Sequence, residues 1–197
     1  MFRKVCLLMS VSALAVGITT RAESQSSELT PELQKVKAAM EKYADPVLAV
    51  HDGYFSTVGC VEYPDGAMGV HFLNPALIGP ELDPMKPQIL LYEPDGNRLR
   101  FVGAEWFVPL ATGIKERPQL FGQPFDGPME GHHPLLPTEL HHYDLHVWLF
   151  KDNPAGLFKS TNPNVKCPPG PYTFREELPK MVSHPRSEPT AEAAGAR

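Results

Sequence analysis

At Tyr54 the hydrophobic pattern of this chain changes period, and that change limits the folds open to it. Before it, Thr30-Pro31-Glu32 reads as an N-cap, a first-turn proline and a first-turn acid, the usual opening of a helix. Leu33, Val36, Met40 and Tyr43 follow at helical spacing, and Asp45-Pro46 opens a second, short helix that Asp52-Gly53 ends. After Tyr54, short apolar runs alternate with turn dipeptides, the texture of strands joined by tight connections. Ala67 to Leu73, Gln88 to Glu93, Arg98 to Val108 and Tyr143 to Phe150 read as strands, with Pro94-Asp95-Gly96-Asn97 turning the second into the third. Helices followed by strands predict an α+β domain in which N-terminal helices pack on an antiparallel, partly barrel-like sheet. Pro109 to Leu140, rich in proline, glycine and histidine, reads as a long functional loop.

The ends of the chain set the compartment. Arg3 and Lys4 precede an apolar run from Val5 to Ile18, and Thr20-Arg21-Ala22 resembles a cleavage site, so residues 1–22 read as a signal peptide. The run is shorter than the roughly 20 residues a membrane helix needs. Residues 23–29 read as a linker, 30–175 as one domain and 176–197 as a disordered tail. Cleavage after Ala22 leaves 175 residues with a net charge of −8, which argues against nucleic acid or an anionic membrane as partner. The expected location is the periplasm or the exterior, with no membrane contact after cleavage. Only Cys60 and Cys167 then remain. In an oxidising compartment two cysteines most simply pair, although a copper or zinc thiolate site is the alternative.

Five of the eight histidines, His132, His133, His141, His142 and His146, fall within GHHPLLPTELHHYDLHVW. Imidazole is the commonest metal ligand and titrates near neutrality. Strand alternation sets His71 with Gly69 and Leu73, Glu105 with Phe101, Gly103 and Phe107, and aligns His142, Asp144 and His146. A carboxylate on an apolar strand is costly unless it is paired or metal-bound. Glu105 therefore either binds a metal or bridges to Arg98 or Arg100, and His71 either ligates or hydrogen-bonds in the core. Two histidines and a carboxylate, His71, Glu105 and His146, with His142 in reach, make a candidate site for zinc, iron or copper. His132, His133 and His141 read as solvated loop residues. Trp106 and Trp148 are expected to wall a pocket. No GxSxG, Walker A, GxGxxG, HExxH or CxxCH motif occurs, so no nucleotide cofactor is expected.

The segments KYADPVLAVHDGY, GCVEYPDGAMGVHFLNPALI, ILLYEP, GAEWFVP, YDLHVWLFKDNPAGLF and NPNVKC, spanning Lys42 to Cys167, resemble a set of small exported bacterial proteins with no assigned activity. The resemblance implies an exported single domain and carries over no catalytic residue. The functional expectation is binding of a metal ion or small molecule. It takes two forms, a metal-dependent enzyme or a non-catalytic binding or structural envelope protein. Oligomeric state is not legible.

Overall fold

The computed structural model describes residues 29–132 and 134–184. The expected signal peptide, the linker up to residue 28 and the tail from residue 185 lie outside the described residues. Helix α1 (Pro31–Met40) begins where Thr30 Oγ1 accepts the Leu33 amide, and it buries Leu33, Val36 and Met40. A 3-10 turn (Glu41–Ala44) leads to helix α2 (Pro46–His51), capped by Asp45 through the Val47 amide. In α2 only Ala49 is buried, while Val47, Leu48 and Val50 face outward.

Nine strands follow among the described residues: β1 (Phe55–Tyr63), β2 (Gly66–Leu73), β3 (Ile89–Asp95), β4 (Arg98–Pro109), β5 (Gln119–Leu120), β6 (Gln123–Pro124), β7 (Asp126–Met129), β8 (His142–Val147) and β9 (Thr173–Arg175). Seven of them form one curled, half-barrel sheet in the order β7-β8-β4-β3-β2-β1-β9, and β5 and β6 make a separate ribbon. Every pairing in the main sheet is antiparallel except β1 with β9. The described chain is thus mixed α+β and mostly sheet.

Period-two alternation divides the sheet into two buried faces. Val70, Phe72, Leu90, Tyr92, Ala104, Trp106, Val108, Tyr143, Leu145 and Val147 share one cluster with Leu33, Val36 and Met40. Ile89, Leu91, Val102, Phe107, Trp148 and Val165 form a second cluster. Both faces of the central strands are therefore apolar over most of their area, so the few polar side chains among them stand out.

Two irregularities adjust this pattern. Leu91 pairs with Gly103 but Tyr92 with Phe101, so Val102 is an extra residue on β4. The bulge moves Phe101 into the cluster that holds Tyr92, away from the side of β4 that carries Glu105 and Phe107. The strict alternation expected over Phe101, Gly103, Glu105 and Phe107 breaks at that point. Gly69 has φ of +90°, and a Cβ there would lie 2.4 Å from the Tyr92 carbonyl oxygen. That glycine serves the close approach of a neighbouring strand.

Residues 176–184, expected in the tail, instead lie against the sheet. The Glu176 amide donates to the Glu62 carbonyl, Met181 bridges to Met129, and the Lys180 and Pro128 carbonyls accept from Glu130 and Val182. This strap runs from the β1–β9 edge to β7, on backbone pairing that hydrophobic periodicity does not reveal.

Cys60 and Cys167 form a disulfide with 107 residues of sequence separation. It ties β1 to the segment that leads into β9. Cross-linking a loop of that length removes about 4.7 kcal/mol of unfolded-state entropy in the chain-entropy account. Replacing both cysteines by alanine should therefore lower stability by about 2–5 kcal/mol, read as a fall in the urea midpoint. An unchanged midpoint would show that the bridge constrains nothing the fold needs.

Candidate metal centre

A cavity of about 70 Å³ lies against the second face of the sheet. Its apolar walls are Met68, Leu73, Ile89, Phe107, Leu135 and Leu136, and His71, Glu105, His132, His142, Asp144 and His146 also line it. The sheet supplies five of these six polar groups. Glu105 on β4 pairs directly with His146 on β8, Phe107 with Asp144, and Pro109 with His142. His71 projects from β2, one strand beyond β3.

Two triads result. In the first, Glu105 Oε2 stands 3.4 Å from His146 Nε2 and 3.5 Å from His71 Nε2. Their side chains are between 1% and 7% exposed. In the second, His142 Nε2 stands 3.6 Å from Asp144 Oδ2, and His132 completes a group whose ligand atoms all lie within 4.8 Å of one another. His146 Nδ1, 3.7 Å from Asp144 Oδ1, connects the two.

These separations exceed those of good hydrogen bonds. Glu105 Oε2 and both ring nitrogens of His146 are buried without any hydrogen-bond partner. Buried polar atoms in native folds are nearly always satisfied, because leaving one bare costs about 1–3 kcal/mol. Two ligands bound at about 2.0–2.1 Å around a tetrahedral ion stand about 3.4 Å apart. The two separations from Glu105 in the first triad match that value. The arginine alternative for Glu105 does not hold, since Arg100 pairs with Asp95, Arg98 is exposed at the start of β4, and the ion-pair partners of Glu105 are His71 and His146.

The electrostatics follow from burial. Burial, reinforced by His146 and His132, lowers His71 to about 3, so its ring is neutral at pH 7. Burial likewise lowers His132 to about 4. Burial raises Glu105 to about 7 against the pull of His146. Burial opposes charge on His146, but the Glu105 and Asp144 carboxylates beside it lift it to about 9. Burial pushes Asp144 up, yet His142 and His146 win and hold it below the usual carboxylate range. Among the described residues no lysine or arginine lines the cavity, so its carboxylates are balanced by their own protons, by imidazolium or by a bound cation.

Compared with known proteins, the chain matches no family model, no curated protein and no solved structure. The side chains themselves therefore carry the functional argument.

The structure brings together His71, Glu105 and His146. It sets His142 apart from them, in the second triad with His132 and Asp144. His132 is not a solvated loop histidine: its side chain is 8% exposed and its Nδ1 lies 2.6 Å from the Tyr63 hydroxyl. His141 is half-buried, and His133 lies outside the described residues. Neither tryptophan walls the cavity. Trp106 packs in the helix-side cluster and donates to the Asp83 carbonyl, while Trp148 lies beside His146 and donates to Lys159. Glu93, on β3, is buried and bonded to Lys151 and to the Lys166 amide. Sequence reasoning missed Tyr63 and Glu176, which position His132 from β1 and the strap, and no local motif marks either of them.

The neutral state of His71 has a consequence for stability. Its folded-state pKa lies below the ordinary imidazole value, so its contribution is complete above about pH 6.5 and is lost as pH falls towards 3. In chelator-treated protein, the stability of wild type relative to His71→Gln should fall by about 1.4 kcal/mol per pH unit between pH 6 and pH 4. Denaturant titrations at several pH values measure this, and parallel profiles for the two proteins would contradict a neutral His71.

Proposed function

We propose that this is an exported protein that binds a transition metal ion through His71, Glu105 and His146 and presents the open coordination position to a small molecule. The observation that carries the reading is the bare, buried Glu105 Oε2 facing two imidazole nitrogens at 3.4 and 3.5 Å. Hydrogen bonds could fill both gaps only with both rings as Nε2–H donors at 3.4 and 3.5 Å, longer than good hydrogen bonds, whereas a single cation would engage the carboxylate and both imidazoles at once.

Two imidazoles and a carboxylate with a free position is a donor set suited to zinc or ferrous iron. Copper(I) prefers soft thiolates, and the only cysteines in the described residues are joined in the disulfide. Zinc would supply a Lewis acid and an activated water, whereas iron would add a redox couple. His71, neutral at pH 7, presents a ring nitrogen ready to ligate without losing a proton. His146 must give up a proton to ligate, and the Asp144 carboxylate stands 3.7 Å from its Nδ1, in charge contact without a hydrogen bond.

The enclosure favours chemistry over simple carriage. A carrier that hands metal to a partner needs accessible donors, and these three are buried under apolar walls. A cavity of about 70 Å³ suits a ligand of only a few non-hydrogen atoms. A larger substrate requires the His132, Leu135 and Leu136 side chains to move aside. With α1 and α2 bracing the core face, the opposite face is left to the site.

Export belongs to the same proposal. It is supported by the disulfide, by the N-terminal pattern and by the resemblance to small exported bacterial proteins. No described helix is long and apolar enough to cross a membrane.

Metal analysis of protein purified without a histidine tag tests the site. Zinc or iron should be present, or be taken up on titration, and the identity found selects hydrolytic or redox chemistry. His71→Ala, His146→Ala and Glu105→Gln should each reduce bound metal by at least about tenfold. Wild type that takes up neither these metals nor copper would overturn the proposal.

A further inference from the structure

We infer that His132, His142 and Asp144 form a second metal site in the same cavity, separate from the first triad. The inference rests on reading the cavity as a metal centre, and it is carried by the hydrogen bonds on the far sides of the two histidines. His142 Nδ1 lies 3.1 Å from the Leu140 carbonyl oxygen, which can only accept. That nitrogen therefore carries the ring proton, and in the neutral ring Nε2 is a lone pair. This lone pair faces Asp144 Oδ2 at 3.6 Å. Two acceptors facing each other in a buried space require a cation or a proton between them.

His132 is set up in the same way. The Tyr63 hydroxyl donates its one proton to Glu176 Oε2 at 2.8 Å. It can then only accept from His132 Nδ1, 2.6 Å away. The lone pair of His132 is thereby assigned to Nε2, which is buried and has no partner. A carboxylate, a tyrosine and a histidine in series, ending on a bare nitrogen, is the arrangement that orients a metal ligand and raises its basicity. A solvated loop histidine needs none of it. The position of His132 is also built. The Leu136 amide donates to the His132 carbonyl at 2.7 Å, and the Gly131 amide to Thr138 at 3.1 Å. A Cβ on Gly131 would collide with the Pro137 carbonyl.

Asp144 serves both sites with different oxygens. Oδ2 faces His142 and the second site, and Oδ1 faces His146 Nδ1, behind the first. The imidazole of His146 thus lies between the two metal positions. The ion at the second site would take nitrogen, nitrogen and oxygen donors, the set that suits zinc.

The test uses the mature protein, stripped with a chelator and titrated with zinc, with bound metal counted after desalting. Wild type should hold two zinc ions per chain, and His132→Ala, His142→Ala and His71→Ala should each hold one. Tyr63→Phe, which keeps the ring and removes the hydroxyl, should weaken only the second site, by about tenfold or more. If His142→Ala fails to fold, His132→Ala decides, because His132 lies outside the sheet. One zinc ion in wild type, lost in His71→Ala but kept in His132→Ala, would overturn this inference and leave the first site standing, with a proton filling the second gap. No zinc uptake by wild type would overturn both.

Discussion

The register between β4 and β8 governs what faces the cavity. Glu105 lies opposite His146, and the two-residue repeat then places Phe107 opposite Asp144 and Pro109 opposite His142. A slip of one residue would turn His142, Asp144 and His146 into the helix-side core and bring Tyr143, Leu145 and Val147 to the cavity. Such a slip would set three ionisable side chains in the cluster that holds Leu90, Trp106 and Val108. The apolar face therefore enforces the polar one. The packing of Trp106 and Leu145 on one side of the sheet is what holds Glu105 and His146 together on the other.

This arrangement puts destabilising groups in the part of the molecule best able to carry them. Burying a carboxylate among imidazoles in an apolar cavity costs free energy, and bare Glu105 Oε2 and His146 Nε2 show that the protein does not recover that cost by internal hydrogen bonds. β4 is the longest strand and is buried from Phe101 to Pro109, and the Cys60–Cys167 bridge constrains the far side of the same sheet. Strained or unsatisfied groups persist where the surroundings over-determine them, and they cluster where function requires them. By contrast, Glu93 is also buried but fully engaged by Lys151 and the Lys166 amide, as a structural carboxylate should be.

Hydrophobic period made much of the fold readable. The caps at Thr30 and Asp45, the four main strands and the turn between β3 and β4 are local features, and each leaves its pattern within a dozen residues. β1 was not readable because Ser56, Thr57 and Gly59 interrupt its apolar residues, and β7 and β9 are too short to show a period. The bulge at Val102 depends on how β3 meets β4, which no single strand records. In the site, His71, Glu105 and His146 were legible because each is a polar residue at a position its strand makes buried. His132 was not, because nothing in a proline-rich loop states where the loop returns. Its orientation comes from Tyr63 and Glu176, 69 residues before it and 44 after it along the numbering.

The strap of residues 176–184 bears on how this molecule meets copies of itself. An open sheet has two edges, and a long unpaired edge invites another chain to add a strand. Here β7 is four residues long, contains Pro128, and has Met181 bridged to its Met129. At the other side β9 is three residues long, with Pro171 before it and Pro179 after it in the sequence. Proline has no amide hydrogen to offer an incoming strand. The half-barrel can therefore stay open enough to hold a cavity without offering an adhesive border. That bluntness keeps copies of the chain from adding strands to one another.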